Sequence, residues 1–250
     1  MHSKLKLRGS PTTTFSQVGG LSGIGFALVI LLANLLIFVP AGLPNTGAGL
    51  GEVTAFFDAE ADAVALGSAF IPAAWVLATV FGASAVAAAR RSEHDRGEAW
   101  ALIGFGGILL QNVNVAAVSA IRLALSRTGV DEGTAGLWAL HDALFGLNGT
   151  FLALALAGLS VAGTRARLLR PWQAVLGYVA AALQFASATL TPWVVEYGGA
   201  FGLIGLSGWL IWVAWLVLYG VALLRAAPER PLGRPAVERS SRDRAHGKVR

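Results

Sequence analysis

The sequence contains no cysteine. Disulfides, thiolate nucleophiles and Cys-ligated metals are therefore excluded. Charge is scarce, with only 13% of the 250 residues being Asp, Glu, Lys or Arg. Hydrophobic residues make up 55%, and mean hydropathy is +0.64, too apolar for an ordinary soluble domain. No G-x-S-x-G, H-E-x-x-H or P-loop pattern occurs, so those hydrolase, zinc-protease and phosphate-binding signatures are missing. Histidine is rare too. Of His2, His94, His141 and His246, only His141 lies in an apolar stretch, which excludes a bis-His haem or an all-His metal cluster inside a bilayer. No cofactor is expected.

What is present is a series of apolar runs. About 20 apolar residues cross a bilayer, and six such segments fit here: about 19–39, 63–89, 99–124, 137–162, 172–190 and 200–224. The expected fold is all-α: a polytopic membrane bundle of six transmembrane helices. The first run is longer than a usual signal-peptide core and no small-x-small site follows it closely, so it is expected to remain as a span. Between Pro40 and Asp62 there is no Lys or Arg. Leu50, Val53, Phe56, Phe57, Ala61 and Val64 recur there at helical spacing among Glu52, Asp58, Glu60 and Asp62. A short amphipathic helix on the outer surface is expected. Pro72 predicts a kink in the second span.

Of the 19 Lys and Arg residues, only Arg122 and Arg127 fall in or near an outer segment. The rest lie in the N-terminal tail (1–18), two inner loops and the C-terminal tail (225–250). The positive-inside rule then puts both termini in the cytoplasm of a bacterial plasma membrane. Bacterial origin is read from codon bias, since Arg outnumbers Lys and Ala and Gly are heavily used. The Pro-containing basic C-terminal tail reads as disordered. Its charge is explained by topology and by attraction to anionic lipid, so nucleic acid is not an expected partner. The bilayer is the expected partner, and oligomers are allowed.

The third and fourth spans carry groups that lipid does not tolerate: Gln111, Asn112, Asn114, Ser119 and Arg122, then His141, Asp142, Asn148 and Thr150. Ionisable groups within a span are functional candidates by default. At about 100° per residue, Gln111 and Arg122 share one helix face while Asn112 and Ser119 share another, so the third span should be central. Arg122 and Asp142 lie at matching depth, about one turn from the outer end. They are expected to form an ion pair, with snorkelling of Arg122 as the alternative. His141 and Asp142 diverge by about 100° and are expected to be poorly placed as a dyad. Trp209, Trp212, Trp215 and Tyr219 form a stripe that reads as packing. Trp100, Trp138, Trp172 and Trp193 sit where interfacial belts belong.

Several stretches resemble a known pattern. They are Leu110-Gln111-Asn112-Val113-Asn114, the Leu137–Gly146 run with Trp138, His141 and Asp142 near its start, and Arg170-Pro171-Trp172-Gln173-Ala174-Val175-Leu176-Gly177 at the entry to the fifth span. Together they resemble the six-helix bacterial membrane proteins grouped as a domain of unknown function, over about Gly19 to Arg225. The resemblance implies a fold and no activity, and it assigns no functional residue.

Two functional classes stay open. One is a protein that binds or translocates a small or lipid-like solute through an outer-half polar pocket. Asn34, Arg122, His141, Asp142 and Gln184 would line that pocket, with Trp209 and Trp212 as an apolar wall. The other is a structural or accessory subunit in which Gln111, Asn112, Asn114, Asn148 and the rest only hold helices together. An intramembrane enzyme using His141 and Asp142 is a further alternative. An open pocket favours the first class, and tight dry packing the second.

Overall fold

The structure is a computed structural model, and it describes residues 13–128, 133–197 and 201–226. Most of both expected tails, and the loop residues Asp131 and Glu132, lie outside the described residues. The elements are α1 (Phe15–Ala41), α2 (Leu50–Ala59), α3 (Ala61–Ala69), α4 (Ile71–His94), α5 (Trp100–Thr128), α6 (Thr134–Arg165), α7 (Pro171–Thr189), α8 (Thr191–Tyr197) and α9 (Gly202–Arg225). Among the described residues there is no strand.

Local chemistry sets the helix ends. Thr14 opens α1 with a capping box. Its hydroxyl accepts from the Gln17 N–H at 3.3 Å, and the Gln17 side chain accepts from the Thr14 N–H at 2.9 Å. Near its other end α1 widens into a π turn, Asn34–Phe38, where the Val39 N–H reaches back to the Asn34 carbonyl. Pro40 follows and cannot donate to the ladder, so the widened turn comes where the regular pattern must fail. Gly42 then ends the helix with φ +73°. The kink expected at Pro72 is an interruption at Phe70, between α3 and α4. Proline sits in the first turn of α4, where a missing N–H costs little.

Six long helices close into a ring. The packed neighbours are α1 with α4, α4 with α5, α5 with α6, α6 with α7, α7 with α9, and α9 with α1. The centre is filled by Phe26, Phe81, Leu156, Leu159, Trp215, Leu216, Tyr219 and Leu223. The aromatic stripe is therefore core on one side, with Trp212 and Trp215 buried and Trp209 partly so. Glycines permit the closest contacts. A Cβ on Gly158 would lie 2.5 Å from the Gly104 nitrogen, and one on Gly20 would lie 2.6 Å from the Gly220 carbonyl oxygen.

The outside of the ring is apolar. Leu36, Val76, Val113 and Leu147 are exposed along its length. Water would penalise that surface and lipid would not. Among the described residues, five helical stretches are long and apolar enough to cross a membrane: α1, α3 with α4, α5, α6 and α9. The sixth expected span, 172–190, corresponds to α7, whose 19 residues include Gln173 and Gln184 and fall below the same apolarity.

The two ends of the ring differ. One end, here the capped end, carries α2, α8 and the α1–α2 connection. Val53, Phe56 and Phe57 of α2, with Val64 of α3, pack on Ile121, Leu125 and Trp138 there, while Glu52 and Asp58 are exposed. The opposite, basic end gathers the start of α1, the α4–α5 and α6–α7 connections and the end of α9. There Arg165 pairs with Glu98 and its guanidinium lies 5.8 Å from the Trp100 ring centre.

Candidate functional site

The polar seam resolves into separate bonds between neighbouring helices. α5 does present two polar faces, and each meets a different neighbour. Asn112 donates toward α4, to the Trp75 carbonyl at 3.4 Å and the Thr79 hydroxyl at 3.3 Å. Asn114 donates toward α6, to the Leu144 carbonyl at 2.9 Å and the Asn148 side-chain oxygen at 3.2 Å. Ser119 bonds its own helix at the Val115 carbonyl, and Gln111 is buried.

The charged groups of the seam form a relay under α2. The Arg122 Nε–H donates to His141 Nε2 at 2.9 Å. An arginine N–H only donates, so Nε2 must be the unprotonated nitrogen. The neutral ring then carries its proton on Nδ1 and donates it to Asp142 Oδ1 at 3.0 Å. The other carboxylate oxygen, Oδ2, accepts from the Gly47 N–H at 2.8 Å. Four residues from α5, α6 and the α1–α2 connection are thereby linked in one chain of hydrogen bonds.

This arrangement corrects three expectations. Arg122 and Asp142 are not a direct ion pair, because His141 stands between them. Arg122 does not snorkel, since its guanidinium lies 5.4 Å from the Phe38 ring centre and 5.8 Å from that of Phe145. His141 and Asp142 are hydrogen-bonded despite being adjacent. The divergence rule describes long side chains, whose ends separate with distance from the axis. Imidazole Nδ1 and an aspartate oxygen both lie close to the backbone, so these two can still meet.

Aromatic groups hold the imidazole in place. Trp138 stacks on it with ring centres 4.3 Å apart and planes 10° apart, and Phe145 lies parallel on the other side at 6.0 Å. Trp138 is therefore buried, not part of an interfacial belt, and Phe57 of α2 meets it edge-on at 6.1 Å. Their spacing 138, 141, 145 places them along one face of α6. The same spacing could have revealed the stack from sequence. Nothing in the sequence separates Gly47 from Gly42 and Gly49 of the same connection. Gly47 stands at φ +82°, and a Cβ there would lie 2.9 Å from the Val195 carbonyl oxygen of α8.

The other expected pocket residues are elsewhere. Asn34 donates to the Ile30 carbonyl of its own helix at 2.8 Å. Gln184 is buried between α7 and α9, where its amide reaches the Gly205 carbonyl at 3.4 Å. Trp212 packs on Phe26 in the core. His141 and Asp142 are each only 2% exposed. Two hollows lie away from the relay: a cleft at the basic end, and a shallow lateral recess beside Leu36, Pro40 and Leu66.

A further buried carboxylate was hidden among loop charges in the sequence. Glu93 is 5% exposed, and its Oε1 accepts from the Ala101 N–H at 2.7 Å. It caps the start of α5, where a negative charge meets the positive end of the helix dipole.

Comparisons with family models, with curated proteins and with solved structures returned no match.

Proposed function

We propose that this is a structural or accessory membrane protein, and that its intramembrane polar groups act as a latch rather than as a solute site. The Arg122–His141–Asp142–Gly47 relay carries the reading. Both ring nitrogens and both carboxylate oxygens are already partnered, and the group is covered by α2. A catalytic histidine needs a free nitrogen facing substrate. Here one nitrogen accepts from an arginine and the other is committed to a carboxylate. A translocation pathway needs a polar cavity, whereas this seam is packed helix to helix. The latch ties the α1–α2 connection to α5 and α6 and so holds the cap on the bundle.

In the same reading α7 is the sixth span, α2 lies at the outer membrane surface, and both termini are cytoplasmic in a plasma membrane. The charge asymmetry of the short loops supports that orientation.

The absence of native cysteine gives the test a clean background. Ser119→Cys, Asn114→Cys and Gln184→Cys are made singly and exposed, in membranes, to a charged thiol reagent. The latch reading expects no modification until the protein is denatured, whereas Gly49→Cys in the capped-end loop is modified at once from one side. Rapid modification of any of the three buried positions in the folded protein would replace the latch with an open polar pathway.

A further inference from the structure

We propose that the cleft at the basic end binds a phosphoryl anion, carried as the headgroup of an anionic phospholipid. The cleft, about 600 Å³, opens between the start of α1, the α6–α7 connection and the last turn of α9. Arg167, Arg170 and Arg225 line it, with Gln173 beside them, and no Asp or Glu contributes to its wall. All three arginines are exposed, and none has an acidic partner among the described residues. Their neighbour Arg165 is the one satisfied by Glu98. Three like charges around one hollow repel each other, and no carboxylate among the described residues lines the hollow to relieve that repulsion. A phosphoryl group would, because its oxygens match the paired N–H groups of guanidinium.

The backbone points to the same residues. Arg167 has φ +57°, and it is the only non-glycine residue with a positive φ among those described. It ends α6 at the position where glycine is the usual occupant. An arginine held there carries strain that glycine would avoid. The cleft is also amphipathic. Leu168, Leu218 and Val221 contribute apolar wall beside the arginines. Trp172, which also lines the cleft, is half exposed, as an indole at headgroup level would be. Inorganic phosphate has no use for the apolar wall, whereas a lipid would lay its glycerol and upper acyl chain on it. The basic end is also the end that the positive-inside rule assigns to the leaflet facing the cytoplasm.

The full-length protein in detergent is offered equal amounts of phosphatidylglycerol and phosphatidylcholine with matched chains, and bound lipid is read by native mass spectrometry. Phosphatidylglycerol is expected to be retained preferentially. Arg167→Gln, Arg170→Gln and Arg225→Gln should each lower its retention about fivefold, and the triple variant should abolish the preference. The same charge change placed in the tail, at Arg239, Arg242 and Arg244, should leave retention intact. Equal retention by the triple variant and the unaltered protein would overturn the proposal, as would an equal loss in the tail variant. Millimolar inorganic phosphate should fail to displace the lipid, and displacement by it would overturn a lipid as the occupant. Arg167→Gly separates binding from folding. It should match or exceed the unaltered protein in lipid-free thermal stability and yet gain less from phosphatidylglycerol. Undiminished stabilisation by that lipid would count against the site.

Discussion

The Gly47 N–H and the Asp142 carboxylate are joined by a 2.8 Å hydrogen bond across 95 residues of chain. Gly47 suits that bond for two separate reasons. Its φ of +82° is one that a side chain resists, and carbonyl oxygens of α8 crowd the place a Cβ would take. Gly42 has a similar φ of +73° but open space around it. Gly42→Ala should therefore cost only the conformational term, about 1–2 kcal/mol. Gly47→Ala should cost clearly more, because it adds overlap and moves the donor away from Asp142. Thermal unfolding of both variants in the same detergent checks the order. Equal losses would mean that the bond to Asp142 contributes nothing.

Removing either charge of the relay strands the other in a poorly hydrated site. Losing one partner of a buried charge pair costs about 3–5 kcal/mol. Asp142→Asn also turns an acceptor into a donor at one oxygen, so either the Gly47 N–H or the His141 Nδ1–H loses its partner. Arg122→Gln leaves Asp142 without a compensating cation. Each variant should unfold at lower temperature. The double variant should be less damaged than the two losses added together, because no lone charge remains. Strict additivity would show that His141 does not couple the two residues.

The sequence revealed the seam but not its pairings, for a physical reason. Polar residues in an apolar run stand out, and helical periodicity assigns them to faces. Gln111 with Arg122, and Asn112 with Ser119, are therefore legible as two faces of one central helix. Depth alone does not choose a neighbour. By depth Arg122, Asn34 and Gln184 are equally able to line one pocket, yet Asn34 turns back on its own helix and ring order gives Gln184 a partner on α9. Glu93 is obscured by its company, since Arg91, His94, Asp95 and Arg96 around it are polar and exposed. For Trp138 the sequence does not decide, because a tryptophan near a span end fits an interfacial belt as well as a stack.

Glu93 offers a test at the other end of the molecule. Its bond to the Ala101 N–H satisfies one of the free donors of the first turn of α5. Glu93→Gln keeps an acceptor oxygen and loses only the charge facing the helix dipole, for about 0.3–1 kcal/mol. Glu93→Ala leaves that buried N–H unpaired and should cost about 1–3 kcal/mol. Chemical or thermal unfolding that ranks Ala below Gln supports a cap built on the hydrogen bond. The two variants behaving alike would assign the effect to charge alone.

The last prediction separates the relay from the aromatic stack that encloses it. His141→Phe keeps a ring between Trp138 and Phe145 but removes both hydrogen bonds, so Arg122 and Asp142 each lose the imidazole. Trp138→Phe does the reverse, leaving the imidazole bonds possible while shrinking the stack and its edge contact with Phe57. If the relay is the latch, His141→Phe should cost about 3–5 kcal/mol. It should also raise hydrogen exchange in α2 and around Gly47, with no change at the basic end. Loss of aromatic packing alone should cost Trp138→Phe about 0.5–1.5 kcal/mol beyond the area no longer buried. That variant should loosen α2 without freeing the Gly47 amide, which stays bonded to Asp142. Protection of the Gly47 amide is the deciding observation. If it survives in His141→Phe and is lost in Trp138→Phe, packing holds the cap and the polar chain merely accompanies it.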